Sequence, residues 1–206
     1  MNQLESILNP LGDSQCLHVS IANLWGPPGM GKTTLARHYA ESHKDDISFV
    51  FWIYAESWET VVASYLEFAN SLVTHYSNNT PRSRVENDLG FTGVEEMLQV
   101  KNIFQLDAIR VKSVVKAVKD WLMRPENDKW LLIFDNVEPS LDVFDFIPLT
   151  LTGKIIFTSR DSSATPWGSE LEVTPMDEEE AMHLMKLSLG DDLFQDPRDG
   201  KPCPIP

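Results

Sequence analysis

The chain has 206 residues, 42% of them hydrophobic. That suits one domain of ordinary size with a sizeable core and excludes wholesale disorder. Its 17 Lys and Arg stand against 31 Asp and Glu, and the net charge of −14 argues against capturing nucleic-acid backbones or anionic membranes through net charge. The charge is uneven, because Asp161 to Pro206 holds 11 acidic and 3 basic residues and so carries −8 of the −14. Cys16 and Cys203 form neither a disulfide framework nor a zinc spacing. No apolar run reaches the length of a membrane span, Trp130 to Phe134 being strand-sized, and the N-terminus lacks the basic and apolar regions of a signal peptide. A soluble, cytoplasmic protein without nucleic-acid or membrane partners is expected.

In chain order, residues 2–9 read as a short helix closed by Asn9-Pro10-Leu11-Gly12. His18 to Trp25 reads as a strand running into Gly26-Pro27-Pro28-Gly29-Met30-Gly31-Lys32-Thr33-Thr34, and Thr34 to Ser42 continues as a helix. Ser48 to Tyr54 is almost continuously apolar, which predicts a strand buried on both faces. Ser57 is placed to cap a helix whose stripe is Val61, Val62, Tyr65, Leu66, Ala69, Leu72 and Val73. The polar stretch Ser77 to Gly93 reads as an exposed loop, and Val94 to Phe104 as the place of a short helix.

Asp107 is placed to cap a helix with the stripe Val111, Val114, Val115, Val118, Trp121 and Leu122. Lys129 to Phe134 is a strand ending at Asp135, Gly153 to Thr158 another ending near Arg160, and Leu171 to Thr174 a short fifth. Asp177 and Glu180 resemble a capping box opening a helix at Glu178, with Gly190 just past its end, and 191–206 reads as a disordered tail. Strands alternating with helices predict a parallel α/β sheet.

Gly26-x-x-x-x-Gly31-Lys32-Thr33 matches the P-loop pattern in the right context, strand before and helix after. Such a loop wraps a polyphosphate with backbone N–H groups, which requires glycine at Gly26, Gly29 and Gly31. Met30 and Thr34 belong to the same cradle, and the helix start adds its positive dipole end. Lys32 supplies an ammonium for the β and γ phosphates, and Thr33 a hydroxyl for Mg2+. Trp130-Leu131-Leu132-Ile133-Phe134-Asp135 delivers a carboxylate at the sheet edge where ligands sit, the second arm for Mg2+. Arg160 leaves another buried strand; from the residues alone it either reaches a γ-phosphate or pairs with Asp161 on the surface.

Gly26 to Thr34, Phe49 to Ile53, Lys129 to Asn136 and Gly153 to Arg160 come in the order and chemistry of the NB-ARC domain. The sequence resembles this nucleotide-binding switch of STAND-class P-loop NTPases, found in NOD-like and plant resistance-type receptors, most of all its fungal members. The likeness covers roughly Leu4 to Leu189. It implies a five-stranded parallel sheet of the additional-strand type, order 5-1-4-3-2, sandwiched by helices. The Arg160 strand would then lie between the P-loop strand and the Asp135 strand, with Arg160 sensing the γ-phosphate. It further implies a nucleotide-binding core over 1–175, the start of the helical ARC region over 176–190, and a function as an ADP/ATP switch with Mg2+. Missing downstream helical, winged-helix and repeat domains and a nucleotide-dependent homo-oligomer are the implied partners.

Two departures stand out. Many members of that family carry a second acid after the Mg2+ aspartate, where this sequence has Asn136. An amide cannot take a proton from attacking water as a carboxylate can, so slow or absent hydrolysis is expected. Glu138 follows closely, but the sequence alone does not place it at the site. The Gly-Leu-Pro-Leu and Met-His-Asp motifs of the later regions do not occur, and the adenine-contacting segment is reduced to Met1 to Leu8, which reads as a truncated receptor core. An active ATPase or phosphotransferase, and a truncated interaction fragment without nucleotide binding, are the alternatives.

Overall fold

The computed structural model describes residues 1–9, 19–100, 106–150, 152–165 and 168–175. The chain divides into two units, Met1–Val173 and Thr174–Pro206, and the described strands and helices all lie in the first. The helix expected after Asp177, the tail and both cysteines lie outside the described residues. Strands β1 (Ser20–Trp25), β2 (Phe49–Tyr54), β3 (Trp130–Val137), β4 (Lys154–Ser159) and β5 (Ser169–Glu172) form one sheet in the order β2-β3-β4-β1-β5. Every pairing is parallel. Read from the other edge this is 5-1-4-3-2, with β4 between β1 and β3.

Helices α1 (Asn2–Leu8), α2 (Lys32–Ser42), α3 (Trp58–Tyr76), α4 (Arg82–Leu89), α5 (Val94–Leu98) and α6 (Ala108–Leu122) complete three layers. The alternation of side chains along β3 divides two cores. Trp130, Leu132 and Phe134 join the apolar faces of α3 and α6, while Leu131 and Ile133 join Leu4, Leu8, Ala36 and Tyr39 from α1 and α2. Burial on both faces explains why β3 reads as an unbroken apolar run. The α3 start is fixed by a reciprocal cap: Ser57 Oγ accepts from the Thr60 N–H, and Thr60 Oγ1 accepts from the Ser57 N–H. Asp107 caps α6 through the Ile109 N–H at 2.9 Å.

The structure corrects two expectations. β2 is not buried on both faces, because the strand order places it at the sheet edge, paired only with β3. Phe49, Phe51 and Ile53 face the α3–α6 core, whereas Val50 and Tyr54 on the other face are 42% and 56% exposed. There Arg37 lies 5.6 Å over the Trp52 ring. The second correction is α4, which occupies the stretch read as a loop. It buries only Val85, so it has no apolar stripe to betray it. Arg82 holds it in place, bonding Glu86 at 3.0 Å, Glu95 at 2.9 Å and Asn70 at 2.6 Å. Gly90 at φ +77° closes it as a left-handed C-cap. Among the described residues no helix is long and apolar enough to cross a membrane.

Candidate functional site

β1 ends at Trp25 and the chain turns through Gly26 to Gly31 into α2, at the C-terminal edge of the sheet. Gly26 adopts φ +145° against the chain after β5, where a Cβ would meet the Val173 carbonyl oxygen at 2.6 Å. Gly29 and Gly31 adopt φ +82° and +86°, and nothing lies within 4 Å of where their Cβ atoms would be. The loop is therefore tight against the sheet at its start and open at its tip. Gly31 is the N-cap of α2 and offers no side-chain cap, so the first N–H groups of the helix are left for another acceptor.

Lys32 folds back over the loop, its Nζ donating to the Gly26 and Pro27 carbonyls at 2.6 and 2.8 Å. Partial burial and the neighbouring Arg160 charge hold its ammonium below the ordinary lysine value, with Asp135 opposing them. Thr33 Oγ1 donates to Asp135 Oδ1 at 2.8 Å, bringing together the hydroxyl and the carboxylate expected to hold Mg2+. Asp135 is buried, and Thr158 Oγ1 donates to the same Oδ1 at 2.5 Å.

These donors test well against a magnesium ion. The set is oxygen only, one carboxylate and one hydroxyl side by side, which suits a hard cation that completes its shell with phosphate and water. Among the described residues no cluster of three His, Cys, Asp or Glu side chains forms a cage of its own. The open tip at Gly29 and Gly31 likewise suits a polyphosphate approached by backbone N–H groups.

Ser159 is level with Trp25 across the β1–β4 pairing, so Arg160 leaves β4 beside the start of the loop. Its side chain is exposed and, among the described residues, makes no ion pair. Asp161 is engaged elsewhere: its Oδ1 accepts the Ser163 N–H at 2.8 Å, which holds its carboxyl below the usual range. Met30 lies half-buried and Thr34 exposed at the same corner.

Two residues escaped the sequence reading. Thr158 was legible in principle, as a hydroxyl directly after the apolar run Ile155-Ile156-Phe157 of β4. Glu56 was not. Its Oε1 accepts from Asn136 Nδ2 at 3.1 Å, across 80 positions of sequence.

One comparison bears on the family and another on the fold. Residues 1–153 match the family model described as the AAA ATPase domain. No curated protein matches the chain. Among solved structures, a STAND protein with a tetratricopeptide repeat sensor from Pyrococcus horikoshii is similar at 16% identity with a TM-score of 0.50, over 93% of this chain and 25% of that one. Cdc6p from Pyrobaculum aerophilum is similar at 12% identity with a TM-score of 0.47, over 89% of this chain and 46% of that one. The chain thus spans less than half the length of either, and the first likeness is one of fold. With its family model covering most of its length, the chain belongs to the AAA ATPase domain family.

Proposed function

We propose that this chain is the nucleotide-binding module of a signalling switch of the NB-ARC type, taking ADP or ATP with Mg2+ and hydrolysing ATP slowly. One observation carries the reading: Lys32, Thr33, Asp135 and Arg160 converge on one corner of the sheet from three strands. Gly26, Gly29, Met30, Gly31 and Thr34 would line the phosphate path, Lys32 would meet the β and γ phosphates, and Thr33 with Asp135 would hold the cation. Mg2+ bound there neutralises phosphate charge and orients the oxygens.

The switching logic is differential contact. ATP offers a γ-phosphate to Lys32 and Arg160 and ADP does not, and a ligand shifts an equilibrium only through such differences. In this reading residues 1–175 form the core and 176–190 open a helical region, and the nucleotide governs contacts with further receptor domains or a second copy of the chain. The test is titration of ADP and ATP, each with and without Mg2+, followed by phosphate release. Binding of both with slow release is expected. Absence of binding by a folded sample would overturn the proposal, and rapid steady turnover would replace the switch with a working ATPase.

A further inference from the structure

Asn136 occupies an unusual backbone position. Among the described residues it is the one non-glycine with positive φ, at +60°, a region asparagine tolerates better than most residues. The β3–β4 pairing shifts register between Phe134 and Val137, so Asn136 sits on a bulge. Its N–H donates to Thr158 Oγ1 at 2.9 Å, the same hydroxyl that donates to Asp135. Its side chain is thereby aimed along the sheet edge towards β2, where Nδ2 donates to Glu56.

The backbone holds Glu56 beside Asp135 independently of that bond. Tyr54 is level with Asp135 in the β2–β3 pairing, and the chain then continues along the same edge. The Ala55 N–H donates to the Asp135 carbonyl at 2.8 Å, and the Ala55 carbonyl accepts the Glu138 N–H at 3.3 Å. Glu56 is exposed and enters no ion pair with a described residue. The corner thus has an amide where a base is needed, and that amide holds a carboxylate supplied by the chain just after β2.

We infer that Glu56 is the carboxylate that orients and deprotonates the water attacking bound ATP, and that Asn136 is its positioning residue. The inference rests on the nucleotide reading above and adds the group that carries out hydrolysis. In the step, the water oxygen bonds to the γ-phosphorus as the bond from that phosphorus to the β–γ bridging oxygen breaks. One water proton passes to Glu56, the bond electrons leave with ADP, and the proton is later released to solvent with inorganic phosphate. Glu138 is tied to this edge by its backbone N–H and contributes no side-chain bond among the described residues.

The test uses the full chain with Mg-ATP, measuring single-turnover phosphate release, calorimetric affinity and, by chromatography, the nucleotide retained after incubation. Glu56→Gln is expected to slow release about 100-fold or more, keep affinity within about twofold, and retain ATP where the wild type holds ADP. Asn136→Ala is expected to slow release about tenfold at unchanged affinity, and to have no further effect in the Glu56→Gln background, as for two residues acting as one unit. Release by Glu56→Gln at the wild-type rate overturns the inference, as does a wild type that binds Mg-ATP and never releases phosphate. An Asn136→Ala effect of equal size in both backgrounds removes Asn136 from the role. A folded wild type that binds no nucleotide fails at the titration, and then the nucleotide reading falls and takes the inference with it.

Discussion

Thr33 Oγ1 and Asp135 Oδ1 lie 2.8 Å apart although 102 positions separate the residues in the chain. The hydroxyl belongs to the first turn of α2 and the carboxylate to the end of β3, two strands from β1 in the sheet. Their meeting links the two halves of the proposed site.

A variant that keeps the shape and removes the charge isolates this pair. Asp135→Asn is expected to weaken Mg-ATP binding about tenfold or more, while binding in the presence of a chelator stays close to wild type. Paired titrations with Mg2+ and with chelator check this. An equal loss in both conditions would mean that Asp135 acts through the fold. Its buried bond from Thr158 makes that a fair alternative.

The two ends of the loop should answer differently to the same substitution. Gly26→Ala places a methyl 2.6 Å from the Val173 carbonyl oxygen, so a fold loss of about 2–3 kcal/mol is expected. Gly29→Ala meets nothing within 4 Å and carries only the penalty of its φ of +82°, about 1 kcal/mol. Urea unfolding separates them. Similar losses at both positions would contradict the tight start and open tip.

Alkaline pH should report on the opposite end of the sheet. Tyr39 is fully buried, stacks on His43 at 4.1 Å, and accepts at its Oη from Asn9 and Lys154. Burial first, with Glu5 and Asp46 adding, pushes its phenol from 10.0 up to about 12, the Asn9 bond opposing. A raised acid favours the fold while protonated. Its contribution is complete below pH 10.0 and is lost progressively as pH rises towards about 12, on the order of 2 kcal/mol. Lys154 in the same cluster is lowered, chiefly by burial, and opposes the trend, so the comparison must be with Tyr39→Phe. That variant is expected to lose less stability than the wild type above pH 10.0 in urea titrations. Parallel losses would sink the assignment.

Tyr65 offers a simpler check on the other core. It is fully buried and its hydroxyl donates to the Phe146 carbonyl. Tyr65→Phe leaves that carbonyl without its partner and should destabilise the chain by about 1–2 kcal/mol. An unchanged urea midpoint would show that the carbonyl finds another donor.

Much of this architecture is legible in the sequence because its signals are local. The glycine loop, the Ser57 and Asp107 caps and the valine stripe of α6 all lie within one or two turns of what they determine. The elements misread are those whose form depends on distant partners. β2 has the composition of a central strand, and only the strand order reveals it as an edge. α4 is stabilised by Arg82 reaching Asn70 and Glu95 on neighbouring helices, with no apolar period of its own. The gap that Asn136 leaves was visible in one dimension. The carboxylate facing it was not, since Glu56 reaches it only after β2 and β3 pair.

The central claim is a phosphate site built around Lys32, and calorimetric titration of Mg-ATP into wild type and Lys32→Ala tests it most directly. Lys32 is partly exposed, and its protein bonds go only to loop carbonyls, so the variant should fold. Loss of its charge-assisted bonds is expected to weaken binding about 100-fold. Equal affinity in both proteins would contradict the account and place the nucleotide elsewhere.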